Sequence, residues 1–210
     1  MTVEIIDVPQ GEPAWFDARK GLPTASVFAK VLARGKDGGA SVGRRDLMLK
    51  LAGEILTGEP APEGYRNADM DRGKEQEAEA RALYQFTYEP VTPVGFIKNG
   101  RKGASPDSLI GDKGGLEIKC AIPSVQIERL LSGKLPSEHV AQVQGGLWVS
   151  EREFWDFVSY CPKLPLFVLR VYRDEEYIAR LASAVDAFNS ELDSIVQSIR
   201  SYESFARVAA

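Results

Sequence analysis

The spacing of apolar residues separates a helical first part of the chain from a strand-rich middle. Up to about residue 90, apolar residues recur at steps of three or four, which is the period of an amphipathic helix. Thr24 can cap a short helix, and Ser41 can cap a longer one that Gly58 would end. A third helix is expected over about residues 67–86. These signals predict that the first third of the chain is helical.

Beyond residue 90 the pattern changes to the alternation that is typical of strands. Three strands are predicted at residues 92–98, 103–110 and 114–120, and a glycine-rich turn at 111–114 joins the last two. Strands that follow one another with such short connections predict a β-meander.

The rest of the chain mixes both patterns. Helices are predicted at 123–131 and 137–148, the second capped by Ser137, strands at 154–160 and 166–172, and a closing helix at 174–202. This order of elements predicts an α/β fold, with a central mixed β-sheet flanked by helices. We expect a single domain over residues 1–210.

The cysteine and histidine content narrows the possible chemistry. Cys120 and Cys161 are too few for a disulfide scaffold and lack the spacing of a zinc site. His139 is the only histidine, which excludes sites that need two imidazoles. Hydrolytic chemistry would therefore depend on carboxylate, lysine or arginine side chains.

The charge balance is slightly acidic, with 26 basic and 30 acidic side chains. Binding to DNA would therefore need a local concentration of positive charge. Candidates for that charge are Arg34, Lys36, Arg44, Arg45, Lys50, Lys98, Arg101 and Lys102. No apolar run is long enough for a membrane span or a signal peptide, so we expect a cytoplasmic protein without a membrane partner.

Two short segments of the predicted meander carry the candidate chemistry. Asp107 follows Pro106, and Glu117 and Lys119 come about ten residues later in the hairpin partner. Side chains alternate along a strand, so Glu117 and Lys119 should share a face. Mg²⁺ takes oxygen ligands, which Asp107, Glu117 and the Ile118 carbonyl can supply. Lys119 could orient or deprotonate a metal-bound water, because burial and a neighbouring cation lower the pKa of a lysine.

A third carboxylate is expected on the helix before the meander. On a helical projection Glu77 falls in the same arc as Ala80, Leu83 and Tyr84, which should face the core. A carboxylate on an apolar face needs a partner. Either a metal ion or Arg81, one turn along, could provide it, and the residues alone leave both open.

These residues spell the PD-(D/E)xK nuclease motif, and further blocks surround it in order. The blocks are Trp15, Arg19 and Gly21 with Thr24-Ala25-Ser26, then Gly73-Lys74 with Glu77, Ala80-Arg81 and Phe86-Thr87, then Ser105-Pro106-Asp107, Leu116-Glu117-Ile118-Lys119-Cys120 and Ala141-Gln142-Val143-Gln144 with Trp148-Val149. Over about residues 12–200 the chain resembles the phage lambda exonuclease family, the YqaJ-type viral recombinase nucleases.

The resemblance implies a restriction-endonuclease-like core and an alkaline-exonuclease-like activity. Such an enzyme digests linear double-stranded DNA from the 5′ end, releases 5′-mononucleotides and leaves 3′ single-stranded overhangs for recombination by strand annealing. The metal would be Mg²⁺, with Mn²⁺ as a substitute and two ions per site. The implied metal ligands are Asp107, Glu117, the Ile118 carbonyl and Glu77, with Lys119 serving the attacking water and Gln142 supporting water and metal.

The same resemblance implies a site for the DNA end and a set of partners. Arg19, Ser26 and Ser105 match positions that hold a 5′-phosphate, and guanidinium and hydroxyl groups suit phosphate oxygens. The implied assembly is a homotrimeric ring that acts with a phage-type single-strand annealing protein.

Two other functions stay open from the residues. A restriction- or repair-type endonuclease would use the same catalytic residues, and only such an enzyme would cut closed circular DNA. A noncatalytic DNA-end-binding module is disfavoured because both acids and the lysine are present.

Overall fold

The computed structural model describes residues 2–35, 38–62 and 68–208, so Lys36 and the expected helix start at Asn67 lie outside the described residues. The strands are β1 (Val3–Ile6), β2 (Phe96–Asn99), β3 (Lys102–Ala104), β4 (Ser108–Ile110), β5 (Gly114–Cys120), β6 (Phe154–Tyr160) and β7 (Phe167–Tyr172). The helices are α1 (Pro13–Arg19), α2 (Phe28–Leu32), α3 (Val42–Thr57), α4 (Ala68–Thr87), α5 (Pro123–Ser132), α6 (Ser137–Ser150) and α7 (Glu175–Val208). A 3-10 turn, Ala25–Val27, precedes α2.

The strands form a four-stranded mixed sheet and a smaller antiparallel one. In the first sheet the order is β4-β5-β6-β7, with β5 and β6 parallel and the outer pairs antiparallel. The second sheet has the order β1-β2-β3. A mixed sheet flanked by helices confirms the predicted fold class.

The predicted meander is wrong at one point, because residues 103–110 do not form a continuous strand. The chain leaves one sheet after Ala104 and enters the other at Ser108. Pro106 lies in the break, and proline has no N–H to continue a ladder of hydrogen bonds. As a result, Asp107 lies where the two sheets meet.

The helix ends follow the sequence signals in part. Ser41 Oγ accepts a hydrogen bond from the Arg44 backbone N–H at 3.2 Å, and Gly58 ends α3 with φ of 76°, as expected. The predicted caps at Thr24 and Ser137 are wrong, because Thr24 makes no capping hydrogen bond and Pro136 holds the cap position of α6. Proline favours this place because its fixed φ suits a helix start.

Helix α6 is buried on both sides and joins the two halves of the core. Ala141 and Val149 pack with α2, α3 and α7, whereas Val143 and Leu147 pack with β6 and β7. A Cβ atom on Gly145 would lie 2.4 Å from the Phe28 ring. The glycine therefore permits the close approach that fixes the height of α6, and with it Gln142, over the sheet.

Two of the candidate DNA-binding cations contact α7 instead. Arg44 donates two hydrogen bonds to Glu191, and Arg101 donates two to Asp193. Across the described ranges 2–35, 38–62 and 68–208, no helix has the length and apolar character needed to cross a membrane.

Candidate active site

The β4–β5 hairpin fixes Asp107 by its backbone and by its side chain. The Asp107 N–H donates to the Leu116 carbonyl at 3.0 Å, just before β4 begins. Its Oδ2 accepts the Ile118 N–H at 2.6 Å. The carboxylate therefore reaches across the hairpin to the segment that carries Glu117.

Glu117 and Lys119 share one face of β5, as their alternation predicts. Lys119 Nζ lies 2.6 Å from Glu117 Oε1. Gln142, from α6, donates to the same Glu117 oxygen at 2.5 Å. Ile118 points to the other face, where it is buried with Tyr84. The predicted convergence of two carboxylates and an amine is present.

The electrostatics of this group leave negative charge without full compensation. Burial and the neighbouring carboxylates of Glu117 and Glu77 raise the pKa of Asp107 well above its usual value. Burial also raises the pKa of Glu117, although Lys119 and Gln142 oppose the shift. An all-oxygen donor set of this kind fits a divalent cation, because a bound cation favours the ionised carboxylates.

Lys119 differs from the expectation of a lowered pKa. Burial alone would lower the pKa of its amine, but the contact with Glu117 outweighs burial, and the pKa is raised. The lysine is therefore protonated at neutral pH in this arrangement. It can donate hydrogen bonds and offset negative charge.

Glu77 forms an ion pair with Arg81, which is the alternative that the residues left open. The Arg81 guanidinium also donates to Ser108 Oγ at 3.1 Å and to the Asp107 carbonyl at 3.4 Å. Leu83, expected to face the core, is 39% exposed. Among the residues that the structure describes, no group of three or more His, Cys, Asp or Glu side chains is arranged to hold a metal ion. A metal-binding role for Glu77 stays a prediction.

A second polar group gathers the residues predicted to hold a 5′-phosphate. Arg19 donates to Ser105 Oγ at 2.8 Å and to Thr24 Oγ1 at 3.5 Å. Thr24 Oγ1 lies 3.2 Å from Ser26 Oγ. Burial lowers the pKa of Arg19 to about 10, so the guanidinium stays charged at neutral pH.

One cavity of about 220 Å³ contains both groups. It is lined by Arg19, Ser26 and Ser105 on one side and by Asp107, Glu117 and Gln142 on the other. Lys119 adjoins the cavity through its ion pair with Glu117. The structure therefore brings the predicted phosphate and catalytic residues together, although their roles stay predictions.

Sequence reasoning missed several residues that support this cavity. Gln10 donates to the Val94 and Pro106 carbonyls, both at 2.9 Å, and so ties the start of the chain to the segment before Asp107. Thr24 connects Arg19 with Ser26. The resemblance contained a signal for Thr24, as part of a motif block, but Gln10 carries no local signal. Burial lowers the pKa of His139 to about 4, with Lys119 and Arg129 adding to the effect.

The fold and the site together define a nuclease of the PD-(D/E)xK class. Residues 14–153 match the YqaJ-like viral recombinase domain, and the chain belongs to that family. This confirms the resemblance. The family and the structural relatives below support a DNA nuclease.

Solved structures of exonucleases share this fold. The alkaline exonuclease LHK-Exo from Laribacter hongkongensis is 35% identical, with a TM-score of 0.83, covering 93% of this chain and 100% of that one. LHK-Exo in complex with dAMP matches equally well. A phage-related exonuclease from Haemophilus somnus 129PT shares the fold at 18% identity, with a TM-score of 0.62, covering 85% of this chain and 96% of that one. The putative uncharacterized protein ExoD of Escherichia coli K12 is 29% identical over 68 residues, which is 31% of this chain and 78% of that protein.

Proposed function

We propose that the protein is a metal-dependent 5′→3′ exonuclease that acts on linear double-stranded DNA, releases 5′-mononucleotides and leaves 3′ overhangs for strand annealing. The observation that carries the proposal is the shared cavity. Arg19 and Ser105 can bind a terminal phosphate while Asp107 and Glu117 lie beside the next phosphodiester. A site that binds an end and a scissile bond at once suits an exonuclease.

The cation in this proposal is Mg²⁺, replaceable by Mn²⁺, with two ions per site. Asp107, Glu117 and the Ile118 carbonyl would hold it, with Glu77 completing the set. When bound, the ions would supply an acidified water and stabilise the departing 3′ oxygen. The chemistry of the donors supports this assignment, because Asp107 and Glu117 have raised pKa values and only Lys119 contacts them as a cation among the described ion pairs.

The remaining side chains would position and stabilise. Lys119, held at 2.6 Å from Glu117, would donate to the attacking water or offset charge on the phosphorus. Gln142 fixes the orientation of the Glu117 carboxylate by its hydrogen bond. Because these contacts exist before substrate binds, little reorganisation would be needed during reaction.

The relatives support the same proposal. LHK-Exo is described as an alkaline exonuclease, and its complex contains dAMP, a deoxynucleoside monophosphate. The family description, a viral recombinase, supports a recombination role. We further propose a homotrimeric ring, a single-strand annealing protein as partner and a cytoplasmic location.

The test is digestion of 5′-phosphorylated linear duplex beside a closed circle, with and without Mg²⁺. Acid-soluble nucleotide and strand polarity would be followed for the wild type, Lys119→Ala and Lys113→Ala. Lys113 is a matched control, because it lies in the same hairpin but forms an exposed ion pair with Glu153. We expect Mg²⁺-dependent loss of the linear 5′ strand, abolished by Lys119→Ala alone.

Two results would contradict the proposal. Cutting of the closed circle would indicate an endonuclease on the same core. A wild-type protein that binds DNA ends without digesting them would indicate a noncatalytic module.

A further inference from the structure

Trp15 stands at the centre of the phosphate-binding side of the cavity. It lies one turn before Arg19 on α1, so the two side chains share a helix face. The Arg19 guanidinium carbon lies 3.9 Å from the centre of a Trp15 ring. The indole N–H donates to the Gly95 carbonyl at 3.0 Å and to Ser105 Oγ at 3.1 Å. Trp15 therefore contacts both Arg19 and Ser105.

The hydroxyl of Ser105 receives two hydrogen bonds from groups that can only donate. One comes from Trp15 Nε1 at 3.1 Å and the other from Arg19 Nη1 at 2.8 Å. A serine hydroxyl has two acceptor lone pairs and one O–H, whereas indole and guanidinium groups have no acceptor. Both lone pairs of Ser105 Oγ are therefore in use. The hydroxyl can form a further bond only by donating its hydrogen.

That hydrogen is free to serve a ligand. Within residues 2–35, 38–62 and 68–208, no protein group accepts a hydrogen bond from the Ser105 hydroxyl, and Ser105 lines the cavity. A phosphate oxygen is an acceptor and matches this donor. A 5′-hydroxyl that approaches as a donor finds no lone pair on Ser105.

We propose that Trp15 is a positioning residue that makes Ser105 an obligate hydrogen-bond donor and thereby selects 5′-phosphorylated ends over 5′-hydroxyl ends. This inference rests on the proposed function, because it assigns how that same cavity distinguishes its substrate. Arg19 supplies attraction for the negative charge, and Trp15 fixes the direction of the neighbouring hydroxyl. Without the indole N–H, Ser105 would regain one lone pair and could accept as well as donate.

The first test is Trp15→Phe, which keeps an aromatic ring beside Arg19 and removes the N–H. Matched duplexes with a 5′-phosphate or a 5′-hydroxyl would be digested by the wild type and the variant. We expect the ratio of kcat/KM for the two ends to fall about three- to tenfold, because one orienting hydrogen bond is lost. The change should appear in KM for the phosphorylated end, with kcat nearly unchanged.

Trp148→Phe is the control for the loss of an indole elsewhere. Trp148 packs beside Phe28 and below Lys102, away from Ser105. It should leave the end preference unchanged. Thermal unfolding of each variant would separate a general loss of stability from a change in preference.

A double-mutant cycle with Ser105→Ala tests whether Trp15 acts through Ser105. If it does, Trp15→Phe should have little further effect on the end preference once Ser105 is alanine. A general structural role for Trp15 would instead give additive effects. If Trp15→Phe does not fold, benzothienylalanine at position 15 keeps the shape of the indole and replaces only the N–H with sulfur.

The outcomes separate this inference from the proposed function. A wild type without preference for 5′-phosphate would overturn the inference and the phosphate site together. A wild-type preference that survives removal of the N–H, or additive effects in the cycle, would overturn only the role of Trp15.

Discussion

The two sides of the cavity are built in different ways. On the carboxylate side, Asp107 and Glu117 belong to one hairpin, and backbone pairing fixes their separation. On the phosphate side, Arg19, Ser26 and Ser105 come from three separate segments, and hydrogen bonds between side chains hold them together. The first arrangement depends on the fold as a whole, whereas the second can be altered by changing single side chains.

The largest expected effect is on the carboxylate side. Glu117→Gln keeps the shape of the side chain and removes the charge that would hold a cation. We expect a loss of kcat of about three orders of magnitude, with little loss of DNA binding, because the charge acts mainly on the transition state. Single-turnover digestion and a DNA-binding titration measure the two quantities. An equal loss of binding and turnover would contradict this division.

Metal-free stability should respond to Asp107→Asn. Because the folded-state pKa of Asp107 is raised, its ionisation destabilises the folded protein at neutral pH. The variant should therefore melt higher than the wild type at pH 7 without metal. The gain should shrink as the pH falls toward the ordinary aspartate value, where the wild-type carboxyl is protonated in both states.

Added Mg²⁺ should reverse that order. At about 100 times its Kd, an ion that binds only the folded wild type adds about 2.7 kcal/mol to the free energy of unfolding. Asp107→Asn should gain much less. Equal Mg²⁺ stabilisation of both proteins would contradict the assignment of Asp107 as a ligand.

Gly145→Ala tests how the two sides depend on α6. Its Cβ would collide with Phe28 at 2.4 Å and approach Ala25 at 3.3 Å. We expect a loss of about 1–3 kcal/mol from overpacking, measured by urea unfolding. Gly53→Ala, in α3 with nothing within 4 Å, is the control and should stabilise by about 0.5–1 kcal/mol. A neutral Gly145→Ala would show that α6 can shift without strain.

The smallest expected effect is on the phosphate side. Arg19→Lys keeps the charge but cannot bridge Ser105 and Thr24 as the guanidinium does. We expect the preference for 5′-phosphorylated ends to fall about fivefold, the equivalent of one weakened hydrogen bond. Competition between the two kinds of end measures it. Unchanged preference would mean that charge alone recognises the end.

This difference in construction explains what the sequence could predict. Alternation in one strand and the spacing within one hairpin place Asp107, Glu117 and Lys119 from local rules alone. Arg19, Ser26 and Ser105 were predicted only through the family resemblance, because no local pattern joins them. Gln10 contacts Pro106 across 96 positions, and no periodicity reports a single contact over that distance.

The fold was predictable where elements are long and regular, as in α3, α6 and α7. The strand β1 was missed because its four residues do not alternate and Ile5 is exposed. The break between β3 and β4 had a signal in Pro106, but the flanking apolar residues outweighed it. Glu77 faced two partners of equal plausibility, and only the structure shows its pair with Arg81.

The ion pairs along α7 have a consequence for how the protein meets a polyanion. An arginine already neutralised by a carboxylate displaces few counterions when it approaches a phosphate, so Arg44 and Arg101 contribute little to that entropy gain. Each cation removed from contact lowers the salt slope of duplex binding by about 0.9. Weak attachment of this kind suits an enzyme that must shift by one nucleotide after every cut.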